Sequence, residues 1–240
     1  MSDQNGGQTL CLFSGGKDSS WAFHLAKTEG YLVDRLLTVH PPADAYLYHV
    51  PAIHLTNIAA KSIGLPLTTV DATALSIAGT DSTEHGDREL EPLQETLVDL
   101  AADRPINDIV VGAVESRFQR DRIAKLCTAL DAQLVAPLWQ QDPESMLKDM
   151  VDGGLEIVII QVSAQGLGEE WLGRTIDSST ISELMELHHR TGIHPLGEGG
   201  EYETLVIDGP HMSIPIGFDA KAVWTGNRGH LRITNAWLDE

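Results

Sequence analysis

A glycine pair followed by a lysine and an acid forms the first segment of the chain that is suited to binding an anion. In SGGKDS (14–19), Gly15 and Gly16 lie between an apolar run and a helical pattern. Glycine can adopt a positive φ angle and lets backbone N–H groups face an anion, and the following helix N-terminus adds partial positive charge. Lys17 supplies a full charge, and the two serine hydroxyls can donate to phosphate oxygens. The segment is therefore predicted to bind a polyphosphate, with a purely structural turn as the alternative.

This loop departs from the Walker A pattern GxxxxGK[ST]. Cys11 occupies the position of the first glycine, and Asp18 stands where Ser or Thr is required. A site that cleaves the γ-phosphate is therefore not indicated. SGGKDS is instead similar to the pyrophosphatase loop of enzymes that split ATP between its α- and β-phosphates.

A second candidate segment contains three acids close together near the end of the chain. PLGEGGEYETLVIDGP (195–210) includes Glu198, Glu201 and Glu203. In an extended strand, Glu201 and Glu203 point to the same face as Leu205, which is a core position. Acids in line with core positions could position ammonium, bind Mg²⁺ or recognise a cationic substrate. An exposed charged turn is the alternative, because the whole chain is acidic.

A third candidate segment, VESRFQRDR (114–122), follows a predicted strand whose end carries Gly112. Arg120 or Arg122 could hold a phosphate or a carboxylate through bidentate hydrogen bonds. Ion pairs on a helix surface explain these arginines equally well. Gln119 lies in the same segment and joins them as a candidate substrate contact.

The elements that must position these segments alternate between strand and helix up to residue 140. The predicted strands are 9–14, 34–40, 65–71, 108–114 and 132–139, and the predicted helices are 17–30, 55–64, 88–103 and 117–130. Such alternation predicts an α/β fold, a Rossmann-like parallel sheet with helices on both faces. Ligands of such sheets bind beyond the carboxyl ends of the strands.

The pattern changes after residue 140. A helix capped by Asp142 is predicted at 142–154, and a helix capped by Ser178 or Ser179 is predicted at 178–192, with a strand at 155–163 between them. The β-rich stretches that follow contain turn glycines, so we expect antiparallel strands. Two domains are therefore predicted: a nucleotide-binding domain at 1–140 and a smaller α+β domain at 141–240.

The composition limits the classes of partner. The chain has 35 Asp plus Glu against 16 Lys plus Arg, a net charge of −19, spread along its length. Such a surface indicates adaptation to high salt and makes nonspecific nucleic-acid binding unfavourable at ordinary salt. No apolar run approaches the ~20 residues that span a bilayer, and the polar start lacks a signal-peptide pattern, so a cytoplasmic location is expected.

Cysteine and histidine usage gives no sign of a metal centre. Cys11 and Cys127 are far apart in apolar surroundings, and we predict two buried, reduced thiols. The histidines show no paired ligand spacing with cysteine, and HExxH is missing, so no structural zinc is predicted.

The three candidate segments together resemble one family. SGGKDS, GAVESRFQRDRI (112–123) and GEGGEYETLVIDGP (197–210) are similar to the diphthine–ammonia ligases, enzymes of the adenine-nucleotide α-hydrolase-like (HUP-like) fold that complete diphthamide. The resemblance covers nearly the whole chain. It implies that ATP and Mg²⁺ bind on the first domain and that diphthine, a modified histidine of translation elongation factor 2, attacks the α-phosphate through its carboxylate. Ammonium would then displace AMP from the acyl-adenylate, leaving an amide and free pyrophosphate.

The candidate segments and the resemblance together suggest roles for individual residues. The residues that would hold the nucleotide are Ser14, Gly15, Gly16, Lys17, Ser19 and Gly112. The candidate catalytic residues are Lys17, Asp18, Glu198 and Glu201. The candidate substrate contacts are Gln119, Arg120, Arg122 and Glu203.

Two other functions are compatible with the same loop. One is a tRNA-modifying enzyme that uses the same adenylation chemistry, and the other is an ATP-binding sensor without catalysis. Sulfur-inserting relatives need reactive cysteines, which this chain does not offer, and the length leaves no room for a glutaminase domain. Free ammonium is therefore the expected nitrogen source, and a homo-oligomer is compatible with the sequence.

The charge distribution makes a first testable prediction. We expect the midpoint of thermal unfolding to rise steadily as KCl is increased from dilute buffer to molar concentration, because salt screens repulsion among the surplus acids. Differential scanning calorimetry across a KCl series measures this. Full stability in dilute buffer would contradict adaptation to high salt.

Overall fold

A computed structural model describes residues 6–40, 55–72 and 90–239, which form two β-sheets. The first sheet is parallel in the order β3-β2-β1-β4-β5. Its strands are β1 (Gln8–Leu12), β2 (Val33–His40), β3 (Leu67–Asp71), β4 (Ile106–Val110) and β5 (Gln133–Val135). The strand order reverses between β1 and β4, which places a crevice beyond the carboxyl ends of these two strands.

Helices cover both faces of this sheet, as predicted. They are α1 (Lys17–Thr28), α2 (Thr56–Ile63), α3 (Glu91–Asp103) and α4 (Arg117–Ala129). Side chains alternate along each strand, so Leu36 packs towards α1 and α2 whereas Leu37 packs towards α3 and α4. The first two residues of the predicted helix 88–103 lie outside the described residues.

The remainder of the chain forms the predicted antiparallel sheet with two helices and a short 3₁₀ helix. The elements are α5 (Pro143–Asp152), β6 (Glu156–Val162), the 3₁₀ helix Glu169–Trp171, α6 (Ser178–Thr191), β7 (Tyr202–Asp208), β8 (Ile216–Thr225) and β9 (Arg228–Leu238). The strand order is β7-β6-β9-β8. None of the helices within the described ranges is both long and apolar enough to cross a bilayer.

The two sheets share one hydrophobic core. Trp21 and Phe23 of α1 belong to the same buried cluster as Leu147 of α5 and Tyr202 and Val206 of β7. α1 therefore packs between the parallel sheet and the antiparallel sheet. This arrangement brings the start of β7 to the carboxyl ends of β1 and β4.

Two local predictions need correction. The fifth strand, predicted at 132–139, ends at Val135, because the chain turns from Pro137 onward and proline cannot donate a ladder hydrogen bond. The cap of α6 is Asp177 rather than Ser178 or Ser179, since its Oδ1 accepts from the Thr180 N–H at 2.8 Å. The predicted cap Asp142 is confirmed, and it accepts from the Ser145 N–H at 2.9 Å.

Both cysteines are buried and free, as predicted. Burial raises the pKa of the Cys127 thiol to about 11 and raises that of Cys11 further. Neither thiol is therefore a reactive thiolate at neutral pH.

The capping correction leads to a second prediction. Asp177→Ala should lower the unfolding temperature at pH 7, because the freed helix N–H loses its carboxylate partner, whereas Ser178→Ala should leave it nearly unchanged. Hydrogen bonds from Thr180 and Ser179 lower the pKa of Asp177 from 3.8 to about 2, so the difference between the variants should shrink as the pH falls through this interval. Equal unfolding temperatures at pH 7 would contradict the assigned cap.

Candidate functional site

The SGGKDS loop joins β1 to α1 and turns through a backbone conformation that requires glycine. Gly15 has φ = 81°, in the left-handed region, and its carbonyl accepts from the Val206 N–H of β7 at 2.9 Å. The hydroxyls of Ser14 and Ser19 lie 3.1 Å apart across the loop. Gly16 caps α1 without a side-chain hydrogen bond, and the first turn of the helix carries one acid, Asp18.

Gly112, after β4, is in close contact with the first turn of α1. A Cβ at this position would lie 2.7 Å from the carbonyl carbon of Asp18 and 2.8 Å from the Ser19 nitrogen. Both neighbours are backbone atoms, so no rotamer change could relieve the clash. The close approach brings the loops after β1 and β4 together at the crevice.

Lys17 connects the loop to the second half of the chain. Its side chain is buried, and Nζ donates to Asp18 Oδ2 at 2.8 Å and to the Leu196 carbonyl at 2.6 Å. The ammonium also lies 5.3 Å from the centre of the Tyr202 ring. Burial alone would lower the pKa of Lys17, but attraction to Asp18 and other nearby groups outweighs burial and raises it. Lys17 is therefore a permanent cation with one of its three N–H donors left for a ligand.

Two acids of the second candidate segment face this lysine. The pKa of Glu203 is raised to about 8, mainly because the carboxyl group is buried. Attraction to Lys17 lowers this pKa, whereas repulsion from Asp18 and Glu198 raises it further. Partial desolvation and the Asp18 charge also raise the pKa of Glu198, although that residue is solvent-exposed as a whole. The site therefore concentrates carboxyl groups that are costly to ionise together.

Glu201 has a different environment from the other two acids. Glu201 directly precedes β7, which begins at Tyr202, and its carboxylate is bound to the loop before the strand, whereas Glu203 lines the cavity. The Glu201 carboxylate accepts from the N–H groups of His194 and Gly199 at 2.7 and 2.8 Å. Glu201 therefore holds the loop 194–201 in shape, and it does not line the cavity.

A cavity of about 250 Å³ lies between the SGGKDS loop and the start of β7. The predicted site residues that line it are Ser14, Gly16, Lys17, Asp18, Ser19, Gly112, Gln119, Glu198 and Glu203. Gly15, Glu201, Arg120 and Arg122 are not among the lining residues. The structure therefore brings the SGGKDS loop and two of the three candidate acids to one site, although residues 14–19 and 198–203 are distant in sequence.

Several lining residues were missed by sequence reasoning. Tyr202 and Thr204 lie beside the candidate acids in the same motif, and this proximity in the sequence could have identified them as lining residues. The apolar half of the cavity is formed by Leu37, Val39, Val111, Ala113 and Ile123 among others. Nothing in the sequence distinguishes these residues from ordinary core positions at the ends of strands.

The two candidate arginines lie on the surface of α4. The Arg120 guanidinium lies 4.8 Å from the centre of the Trp139 ring, and its Nη1 is 3.4 Å from Asp121 Oδ1. The Arg122 guanidinium lies 3.5 Å from the centre of the Phe118 ring. These contacts are those of a helix surface, and a substrate contact for either arginine stays a prediction.

The acids fit a magnesium ion bound together with a nucleotide. Asp18 Oδ1 is buried and has no hydrogen-bond partner within the described residues, and the Glu198 carboxyl lies in the same cavity. Mg²⁺ is usually held by one or two carboxylates with phosphates and water completing its octahedron. In the described ranges, no group of three or more His, Cys, Asp or Glu could hold a metal alone. A cation at Asp18 would therefore depend on ligands from the nucleotide.

Comparison with known proteins identifies matches over both halves of the chain. Residues 7–134 match the family model of the diphthamide synthase N-terminal domain, and residues 142–238 match that of the C-terminal domain. The rat protein named diphthine–ammonia ligase is 34% identical over 214 residues, which cover 85% of this chain and 79% of that protein. The human protein of the same name is 33% identical over 227 residues, covering 90% and 84%.

Of two more distant matches, one has the same name and the other is described differently. The Schizosaccharomyces pombe diphthine–ammonia ligase is 32% identical over 210 residues, covering 85% of this chain and 34% of that protein. A solved structure described as a predicted subunit of tRNA methyltransferase from Methanocaldococcus jannaschii aligns at 19% identity with a TM-score of 0.41, covering 85% of this chain and 98% of that one.

The contrast between Glu203 and Glu201 yields a third prediction. Glu203→Gln should raise the free energy of unfolding at pH 8, because it removes a carboxyl group whose ionisation is opposed in the folded state. The unfolded pKa is 4.5 and the folded pKa about 8, so the gain should be missing below pH 4.5, grow between these values and then level off. Since a tenfold change in proton affinity corresponds to about 1.4 kcal/mol, the full gain should reach a few kcal/mol.

Glu201→Gln is the matched control and should have the opposite sign. It keeps the shape of the side chain but weakens two charge-assisted hydrogen bonds to backbone N–H groups, so the unfolding free energy should fall. Urea denaturation of both variants from pH 4 to pH 9 measures the effect. A destabilised Glu203→Gln at pH 8 would contradict the assigned environment.

Proposed function

The chain belongs to the diphthamide synthase family, a family of ligases, and we propose that it uses ATP to amidate diphthine on translation elongation factor 2 with ammonium. The observation that supports this proposal is the shared cavity. The anion-binding loop 14–19 forms one wall, and the acids Glu198 and Glu203 form part of the other. An adenylated carboxylate and a nitrogen nucleophile could therefore meet in one place.

The nucleotide half of the proposed site follows from the loop geometry. Ser14 and Ser19 line the cavity at the helix N-terminus, which is the position proposed for the phosphates, and the remaining donor of Lys17 is available to these phosphates. The apolar half of the cavity suits the adenine ring. Asp18, through its unpartnered Oδ1, would hold Mg²⁺, which neutralises charge on the phosphates when bound.

In the proposed first step, a carboxylate oxygen of diphthine attacks the α-phosphorus of ATP. The bond between this phosphorus and the bridging oxygen breaks, and pyrophosphate leaves with that electron pair. Lys17 is held in position by Asp18 and the Leu196 carbonyl, so it offers a fixed positive charge to the phosphates without rearranging. The product is an acyl-adenylate bound between the two halves of the cavity.

In the proposed second step, Glu203 prepares the nitrogen nucleophile. Its carboxylate accepts a proton from ammonium, and the resulting ammonia attacks the acyl carbon. The bond between this carbon and the AMP oxygen breaks, AMP leaves with that electron pair, and the nitrogen releases a second proton to solvent. The pKa of about 8 brings Glu203 close to the working pH, which is where a general base is most effective. Glu201, through its hydrogen bonds to His194 and Gly199, positions the loop that carries Glu198.

Incubation with ATP, ammonium and diphthine-bearing elongation factor 2 tests the proposed function. The expected result is conversion of the carboxylate to an amide, seen by mass spectrometry of the factor, with repeated turnover to AMP and pyrophosphate only when both the factor and ammonium are present. AMP formation that depends on tRNA instead would indicate the tRNA-modifying function. ATP binding without AMP formation would indicate a sensor.

A fourth prediction concerns the assigned base. Glu203→Gln should reduce turnover with ammonium by about 10²–10⁴-fold, the usual contribution of a general base, while ATP binding by calorimetry stays unchanged. Hydroxylamine is unprotonated at neutral pH and needs no base, so the variant should still form the hydroxamate at close to the wild-type rate. Equal losses with ammonium and hydroxylamine would contradict a role in proton transfer.

A further inference from the structure

The β8–β9 hairpin presents an exposed face that the proposed chemistry does not use. Its cross-strand pairs include Lys221 with Arg232, Val223 with His230, and Thr225 with Arg228. Side chains that pair directly across an antiparallel ladder lie on the same face. We call these six residues the hairpin outer face.

The opposite face of the hairpin is the packed one. Leu231 and Ile233, which alternate with the residues of the outer face along β9, pack against a buried cluster that includes Leu55 and Val158. Lys221, Thr225, Arg228 and Arg232 are all exposed. The hairpin therefore packs through one face and leaves the hairpin outer face in solvent.

The charge of this face is opposite to that of the chain. Residues 216–238 contain Lys221, Arg228 and Arg232 and a single acid, Asp219, in a chain with 35 acids and 16 Lys plus Arg. Within the part of the chain that the structure describes, these three cations form no ion pair.

Two of these cations also repel each other within the folded hairpin. Lys221 and Arg232 lie directly opposite each other, and like charges in that position destabilise a sheet. This pair therefore does not stabilise the folded state. An arrangement that costs stability and faces solvent is suited to an anionic partner.

The hairpin outer face lies close to the cavity. Gln161 of β6 pairs with Glu203 on one side and with His230 on the other. His230 is therefore two strands away from the proposed base, a distance of about 10 Å at the usual strand spacing. A macromolecule whose side chain enters the cavity would extend over this part of the sheet.

We propose that the hairpin outer face docks an acidic surface of the protein substrate while the substrate's modified side chain occupies the cavity. This inference rests on the proposed function, which makes a folded protein the substrate. The remaining surface carries the net negative charge of the chain and repels such a partner, so the complementary patch beside the cavity sets both the affinity and the orientation. The same net charge disfavours a nucleic acid, which presents a continuous row of phosphates.

The test compares two double variants of the full chain with equal changes in net charge. K221E/R232E reverses the opposed pair of the hairpin outer face. K125E/R190E reverses two exposed cations on α4 and α6 and serves as the control. Steady-state amidation of diphthine-bearing elongation factor 2 gives the KM for the protein and for ATP.

The expected result is a protein KM raised about five- to tenfold in K221E/R232E, because each charge is reversed at the rim of the contact. The KM for ATP and the kcat should stay at wild-type values, and K125E/R190E should match the wild type throughout. Raising the ionic strength should weaken the wild-type enzyme's affinity for the protein more than that of K221E/R232E.

A stability measurement separates docking from misfolding. Lys221→Gln should unfold at the wild-type temperature or above, since it relieves the repulsion with Arg232, and yet should raise the protein KM. A lower unfolding temperature with an unchanged protein KM would assign Lys221 a purely structural role and overturn the proposal.

Three further outcomes would overturn the proposal and are distinguishable. If the wild type forms amide and K221E/R232E keeps its protein KM, the docking surface is wrong and the proposed function stands. If the wild type forms no amide, both proposals fail. If K221E/R232E instead loses affinity for fluorescently labelled tRNA with the protein KM unchanged, the hairpin outer face is a nucleic-acid surface.

Discussion

The buried ammonium group of Lys17 is the constraint on which the site depends. Taking a charge out of water costs several kcal/mol unless partners replace the lost hydration. Here the partners come from both halves of the chain: the Asp18 carboxylate from α1, and the Leu196 carbonyl and the Tyr202 ring from the approach to β7. The loop can therefore keep its lysine buried only when the two sheets are docked.

The docking has a backbone component that reinforces the charge. The Val206 N–H donates to the Gly15 carbonyl, and the Lys17 N–H donates to the Thr204 hydroxyl at 3.1 Å. These bonds fix the position of β7 against the loop, and the core shared through α1 supports them. The relative position of Lys17 and Glu203 is therefore set by main-chain contacts and packing rather than by flexible side chains, which suits a site that must orient two reactants.

Sequence patterns could predict the parts of this arrangement that are local. The strand–glycine–helix order located the loop, and the spacing after β4 located Gly112, because both depend on residues close in sequence. The environment of Glu201 could not be predicted, since its hydrogen bonds to the N–H groups of His194 and Gly199 depend on how the loop before β7 folds. The partners of Lys17 and the apolar half of the cavity also escaped prediction, because they arise from the packing of segments that are distant along the chain.

Ionisation of Glu203 destabilises the folded state, although Lys17 attracts the ionised carboxylate. Lys17 attracts Glu203, but Asp18 and Glu198 repel it, and burial opposes its ionisation, so the net cost is positive. The same carboxylates are the groups that the proposed function uses to bind a cation and to accept a proton, so the cost is tied to the proposed chemistry. A cation bound between Asp18 and Glu198 would reduce the negative charge that repels Glu203 and would remove part of that cost. Because the unfolded chain has no such site, cation binding would stabilise both sheets at once, through the same contacts that hold them together.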